Sequence, residues 1–424
     1  MVSEAVSSTE QRWNLQTHPW RTNIRLLFLS AMTVFTITVG IGIFNGLHIT
    51  TLSQDVLLTH VHAGTLGWIT LSVLASCLWL FGEGQVLTER SFYISLFSAI
   101  SIPLYVGAFL SGNFIARSIF GSVVLAIIIG FFVWIVMRSR QIRLGVAHLA
   151  ILGAMFTLIV GSTLGVLIQV QSAILEQHGS AILPNGAFGA HPGTQVVGYL
   201  LLIGMAISEW RLMPDTGRLP RLGVIQIAFP FVAGLVLSVG LLYNLTPLLS
   251  LNLLFELIGV VIYIVRFAPR ILRINWLKRS PQRFFAFSGI FIVVDILLLV
   301  YILGSVIGGI YKDFQSVPVW LVFALDHAVF IGIMSNALFG LIQEASAERR
   351  AFWPWADDVL FWGMNFGMVG FVVSLLLDQR ILERVFTPIM GLSILVAIVT
   401  YVIRLSRPSR AEQVEVSVSP TSGR

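Results

Sequence analysis

"LLTHVHAGTLGWITLSVLASCLWLF", Leu57 to Phe81, decides the fold class. The run holds no Asp, Glu, Lys or Arg. An α-helix needs about 20 apolar residues to cross the hydrocarbon of a bilayer. In lipid, only helices and closed barrels satisfy their own backbone polar groups. Two histidines, His60 and His62, open the run. Ionisable side chains are costly at such depth and commonly mark function.

The rest of the chain repeats the pattern. Of its 424 residues 56% are hydrophobic and 11% charged, far from the composition of soluble domains. Twelve apolar runs start near Leu26, Val56, Phe92, Ser118, Leu144, Thr194, Leu222, Leu248, Phe284, Val317, Val359 and Val385. The expected fold is an all-α membrane protein, a bundle of twelve transmembrane helices. Residues 1–23 read as a cytoplasmic N-terminal segment without a recognisable cleavable signal. Residues 24–404 read as the membrane domain, and 405–424, rich in Ser, Val and Arg, as a disordered cytoplasmic tail. Tight hairpins are expected around Tyr243–Leu248 and Ile310–Val317. Pro103, Pro230 and Pro388 fall in or near helices, where neighbouring helices cover freed backbone groups.

Basic residues set the orientation. All of the 26 Lys and Arg except Arg117, Lys312, Arg380 and Arg384 fall on one side of a twelve-helix topology, with both termini. Both ends are therefore expected to be cytoplasmic, in the plasma (inner) membrane. The net charge of +6 then reports topology rather than nucleic-acid binding. The lone Cys77 excludes an intramolecular disulfide and covalent haem attachment through Cys-x-x-Cys-His.

The eight histidines sort by depth. His60 and His62 open the second predicted helix, His191 opens the sixth, and His327 lies about 15 Å into the tenth, at 1.5 Å per residue. All four fall in the outer half of the bilayer, on every fourth helix, which suggests three quasi-equivalent arcs. A histidine followed five residues later by glycine recurs in "HAGTLG" from His62, "HLAILG" from His148 and "HAVFIG" from His327. At the sixth helix the spacing is seven, His191 to Gly198, so the repeat is imperfect. Residues two apart on a helix point about 200° apart. His60 and His62 therefore suit two irons, one on each side of their helix. Imidazole is a common axial ligand of haem iron, and Gly64 and Gly67 would let a flat macrocycle approach. His148, His48, His178 and His18 read as structural or surface residues.

"THVHAGTLGW" resembles the His-x-His helix of haem–copper oxidase catalytic subunits, most nearly the C-type oxidases, to which nitric oxide reductases are related. That resemblance implies a high-spin haem on the first histidine and a low-spin haem on the second. In those subunits the His-x-His helix is the tenth; here it is the second. Their copper ion takes a histidine of helix 6 and an adjacent pair from helix 7, whereas the run Leu222–Tyr243 has none, which argues against copper. Early placement of the pair, with "LDHAVFIGIMSNALFG" on the tenth helix, is similar to the NnrS group of nitric-oxide-response membrane proteins. Both resemblances imply one or two non-covalent haems on His60, His62, His327 and His191. One of His60 and His62 would share an iron with His327, and the other would face His191.

The expected function is electron transfer, or binding and reduction of a diatomic gas such as NO or O2, as in an oxidoreductase. Electrons would come from a cytochrome donor or partner subunit. An NnrS-like haem protein without turnover is one alternative, and a twelve-helix secondary transporter without haem is another. Glu256, Asp295 and Asp326 lie within apolar runs, as residues of a proton path do. Arg117, Lys312, Arg380 and Arg384 are candidate partners for haem propionates.

Overall fold

The computed structural model describes residues 15–82, 89–178, 182–214, 218–313 and 316–407. Twelve helices in it are long and apolar enough to cross a membrane. They are α1 (Arg21–Gly46), α2 (Gln54–Phe81), α3 (Phe92–Leu110), α4 (Phe114–Ser139), α5 (Val146–Ile174) and α6 (Ala187–Leu212), then α7 (Arg221–Leu242), α8 (Thr246–Ile271), α9 (Pro281–Ile307), α10 (Val319–Ala345), α11 (Ala356–Leu376) and α12 (Arg380–Ser406). No strand occurs among the described residues. The protein is an all-α, multi-pass membrane bundle. The tail expected to be disordered lies from residue 408 onward outside the described residues, as does the start of the N-terminal segment.

Helix starts follow local chemistry. The Ser53 hydroxyl accepts from Val56 N at the head of α2, and Asn113 Oδ1 accepts from Ala116 N at 2.9 Å at the head of α4, both side-chain caps. α6 begins at Ala187, seven residues before the expected Thr194, and Pro192 lies inside its first two turns, where it removes one backbone donor without ending the helix. Pro103, Pro230 and Pro388 all lie inside helices. The α7–α8 turn is tight, with Asn244 at φ +54°. The α9–α10 connection is longer than expected, since α9 stops at Ile307 before Gly308 and Gly309.

α2, α6 and α10 are the most enclosed spans. Each widens into a π-helical segment: Ala63–Thr70, Thr194–Leu200 and Ala328–Ser335. In two of them a hydroxyl reaches five residues back, Thr70 Oγ1 to Thr65 O and Ser335 Oγ to Phe330 O, both at 2.9 Å. Such bonds stabilise the wider turn, which recurs at functional sites.

These segments put the three helices in register. Each begins one residue after His62, Gly193 or His327, and five residues after those positions stand Gly67, Gly198 and Gly332. A Cβ on these glycines would fall 2.1 Å from Val34 of α1, 2.9 Å from Thr157 of α5 and 2.1 Å from Phe291 of α9. Each therefore lets the preceding odd-numbered helix approach closely. Gly67 serves helix packing, not a macrocycle, and Gly64 likewise faces Thr38. The irregular spacing at the sixth helix also resolves: His191 corresponds to His60, and both stand seven residues before their glycine.

The centre obeys the same relation. Tyr199 OH donates to Thr70 Oγ1 at 3.3 Å, linking α6 to α2. Trp68 Nε1 donates to Ser335 Oγ at 2.9 Å, linking α2 to α10. Trp68 stands at the position of Tyr199, and Ser335 at that of Thr70. The third link is apolar: Ile333 of α10 packs on Gly204 of α6. Three arcs thus surround one axis, two joined by hydrogen bonds and one by packing.

The segment before α1 also docks on the bundle. His18 is buried, accepting from Trp20 N at Nδ1. Burial lowers its pKa from the ordinary 6.5 to about 4. A lowered folded pKa stabilises the docked state above pH 6.5, a contribution lost as pH falls toward 4. Hydrogen-exchange protection factors of residues 15–20, corrected for the intrinsic pH dependence of amide exchange, are expected to fall over that window, and His18→Gln is expected to flatten the response.

Candidate functional site: two histidine pairs flanking one helix

His60 and His62 project from opposite sides of α2, as their spacing requires. His60 lies within electrostatic range of His327, and His62 within range of His191. The structure thus brings together the four sequence-predicted histidines as two pairs, one on each side of α2.

All four imidazoles are held the same way. Nδ1 of His60 bonds Thr38 O at 2.9 Å and Nδ1 of His191 bonds Gly161 O at 2.7 Å. Nδ1 of His62 bonds Leu58 O and that of His327 bonds Phe323 O, both at 2.8 Å. A carbonyl only accepts, so each ring carries its proton on Nδ1 and presents a lone pair at Nε2. Among the described residues no Nε2 of the four has a hydrogen-bond partner, and each keeps accessible surface. Metal-ligating histidines are commonly oriented by this kind of bond.

The two pairs are built alike. His60 and His191 are fixed by the preceding helix, His62 and His327 by their own. Each pair therefore combines one imidazole of each kind, and the shift from α6 to α2 to α10 carries His191 and His62 onto His60 and His327.

The preceding helix supplies both a carbonyl and a space. On α5, Gly161 gives the acceptor and Gly165 the room: a Cβ there would stand 2.7 Å from His191 Cε1. On α1, Thr38 gives the acceptor and Gly42 the room, with a Cβ 3.1 Å from His60 Cε1. These positions escaped the sequence reading, although "GSTLG", Gly161 to Gly165, carries the small-xxx-small spacing of close helix approach.

Aromatic rings wall both pairs. Phe109 stacks on His62 with centroids 3.7 Å apart, Tyr105 meets the same ring edge-on, and Phe371 meets the edge of His327 at 4.8 Å. Phe109 is held in turn by Arg117, whose guanidinium lies 4.8 Å from its centroid. Arg117 is buried and committed to Asp55 and to the carbonyls of Ala108 and Phe109. It positions a wall, and its Nη1 has no hydrogen-bond partner among the described residues. Arg380, Arg384 and Lys312 lie at the same end of the bundle as the histidines.

The remaining histidines are engaged elsewhere. His148 Nδ1 accepts from Gly145 N at 3.0 Å, and His48 Nε2 bonds Glu383 at 2.9 Å. The side chain of His178 lies outside the described residues. Among the described residues no group of three or more His, Cys, Asp or Glu side chains is placed to hold one metal ion. No protein-family model and no curated protein sequence matches the chain.

Proposed function

We propose that this chain is a membrane haem protein in which His60 with His327, and His62 with His191, would each hold one haem, on opposite sides of α2. The observation that carries the proposal is the common state of the four imidazoles, with Nδ1 fixed to a backbone carbonyl and Nε2 free. Haem in such a pair supplies one-electron chemistry, and an iron with one face open binds a diatomic gas. The chain's own part is to orient the lone pairs, exclude water with Phe109, Tyr105 and Phe371, and hold α2 between the two sites. Electron transfer, or binding and reduction of NO or O2, is the function this arrangement supports best. Donor electrons would come from a partner cytochrome or subunit. The ten-residue likeness to the haem–copper oxidases, and the layout shared with the NnrS group, point the same way.

Reduced-minus-oxidised spectra of the purified protein test this, with His62→Ala and His327→Ala alongside. Loss of one haem, and of its share of the Soret band, is expected in each variant. Haem content identical to wild type in both variants would rule out these ligands. Gly165→Ala gives a subtler check, because the new methyl displaces His191 from Gly161. Loss of an orienting contact typically weakens metal binding by about 10–100-fold. Haem titration is expected to show weaker occupancy of one site only, with Gly42→Ala milder.

A further inference from the structure

The end of the bundle opposite the histidines departs from the three-arc relation at one place. α4 and α8 each finish with an arginine that closes a neighbouring inner helix. Arg138 Nε donates to Phe81 O at 2.9 Å, and Arg270 Nη1 to Leu212 O at 3.2 Å. Phe81 and Leu212 both stand fourteen residues after their glycines, Gly67 and Gly198. The same count from Gly332 on α10 leads to Ser346. Arg404 of α12 passes over Ser346 and donates instead to Phe352 O and Trp353 O, at 2.9 Å each. The arginine that caps a helix in two arcs thus holds a connection, Ser346 to Trp355, in the third.

That connection displays its aromatic rings. Trp353 and Trp355 are 40% and 49% exposed. Trp353 is held at φ +50°, which a bulky residue adopts only where its surroundings impose it. The rings form a row. The Arg407 guanidinium lies 4.1 Å from the Phe352 centroid, Phe352 lies 4.5 Å from Trp353, and Trp353 lies 6.4 Å from Trp355. From Trp355 an exposed apolar face continues along α11 through Val359, Trp362 and Phe366, at the spacing of one helix face. One surface therefore runs from a cation, across three rings, onto an apolar stripe.

The charge beside this row is positive. The connection and the end of α12 carry Arg349, Arg350, Arg404 and Arg407. Asp358 is taken by Arg283 at 2.8 Å and by Arg279, and Asp357 by Arg404 at 2.7 Å. Arg350 comes no closer than 3.7 Å to Asp357, with its side chain 35% exposed. Among the described residues Arg350 makes no side-chain hydrogen bond, and Arg407 makes neither a side-chain hydrogen bond nor an ion pair. Both border the turn that Arg404 holds, since Arg404 Nη2 also reaches Arg350 O at 3.5 Å. Indole rings favour the headgroup level of a bilayer, and guanidinium groups match phosphate with paired N–H donors.

We propose that this face binds an anionic phospholipid. Arg350 and Arg407 take the phosphate, Trp353 and Trp355 lie at headgroup level, and the acyl chains follow Trp362 and Phe366 along α11. A soluble anion would need the arginines alone. The aromatic row and the apolar stripe that prolongs it favour a lipid. The site lies at the far end of the bundle from the histidines and stands whether or not they hold haem.

Lipid retention by the full-length purified protein tests it. In native mass spectra the detergent-solubilised wild type is expected to retain added phosphatidylglycerol and to lose added phosphatidylcholine. Arg350→Gln with Arg407→Gln is expected to weaken phosphatidylglycerol binding about 10-fold or more. Arg140→Gln with Arg143→Gln, at exposed basic positions after α4, is expected to leave it unchanged. Trp355→Gln gives a second reading that spares both arginines, and weaker retention is expected there too. Melting without added lipid, equal to wild type, shows that each variant is folded. Equal retention of the two lipids, equal effects of the two arginine pairs, or unchanged binding in Arg350→Gln with Arg407→Gln would overturn the site. Displacement of the lipid by inorganic phosphate would assign the arginines to a soluble anion and overturn the lipid reading as well.

Discussion

Removing His60 together with His327 is expected to abolish one haem and spare the other, whereas removing His60 together with His62 is expected to abolish both. The first combination empties a single pair. The second takes one ligand from each, although its two residues are the closer in sequence. The difference follows from the 200° between residues two apart on α2 and from the electrostatic proximity of His60 to His327 and of His62 to His191. Haem per chain, measured on purified double variants, checks it. Equal losses in the two combinations would mean that the pairs are assigned wrongly.

The second large effect is on stability, at the opposite end of the bundle. Asp357 and Arg404 are both fully buried and pair at 2.7 Å. Asp357 also accepts from Tyr401 OH at 2.9 Å, while Arg404 donates to the carbonyls of Phe352 and Trp353 at 2.9 Å each. These bonds tie the α10–α11 connection to α12. Asp357→Ala leaves a buried guanidinium without its counter-charge, which typically costs about 3–5 kcal/mol. A surface change such as Lys278→Ala costs within about 0.5 kcal/mol. Thermal unfolding in detergent is expected to separate the two clearly, and Asp357→Ala with Arg404→Leu is expected to recover part of the loss. Equal melting of Asp357→Ala and Lys278→Ala would contradict the assignment.

Much of the fold was legible because hydrophobic length is a one-dimensional property. Each of the twelve spans is marked by its own run of residues, and only α6 began well away from its expected start, where Pro192 hides a helix turn. The four histidines were legible as well, since imidazole at membrane depth stands out against Leu and Val. What held them was not. Thr38, Gly161, Leu58 and Phe323 act through backbone carbonyls, which leave no trace in side-chain identity. Gly42 and Gly165 matter for the space they leave, and their role depends on which helix packs beside them. The three-arc relation was half-visible as a His–Gly spacing. It became regular only once the π segments fixed the register and His191 was matched to His60 rather than to His62. Asp295 lies within electrostatic range of Glu256 and Asp326, yet the three were read as separate carboxyls, because the approach of α8, α9 and α10 is a property of packing.

The most direct test of the central claim is the haem content of the purified wild-type protein, by absorption spectrum and iron analysis together. One haem for each histidine pair, with a spectrum that responds to reduction, is the predicted result. A colourless protein, purified from haem-replete cells and folded by its melting curve, would contradict it.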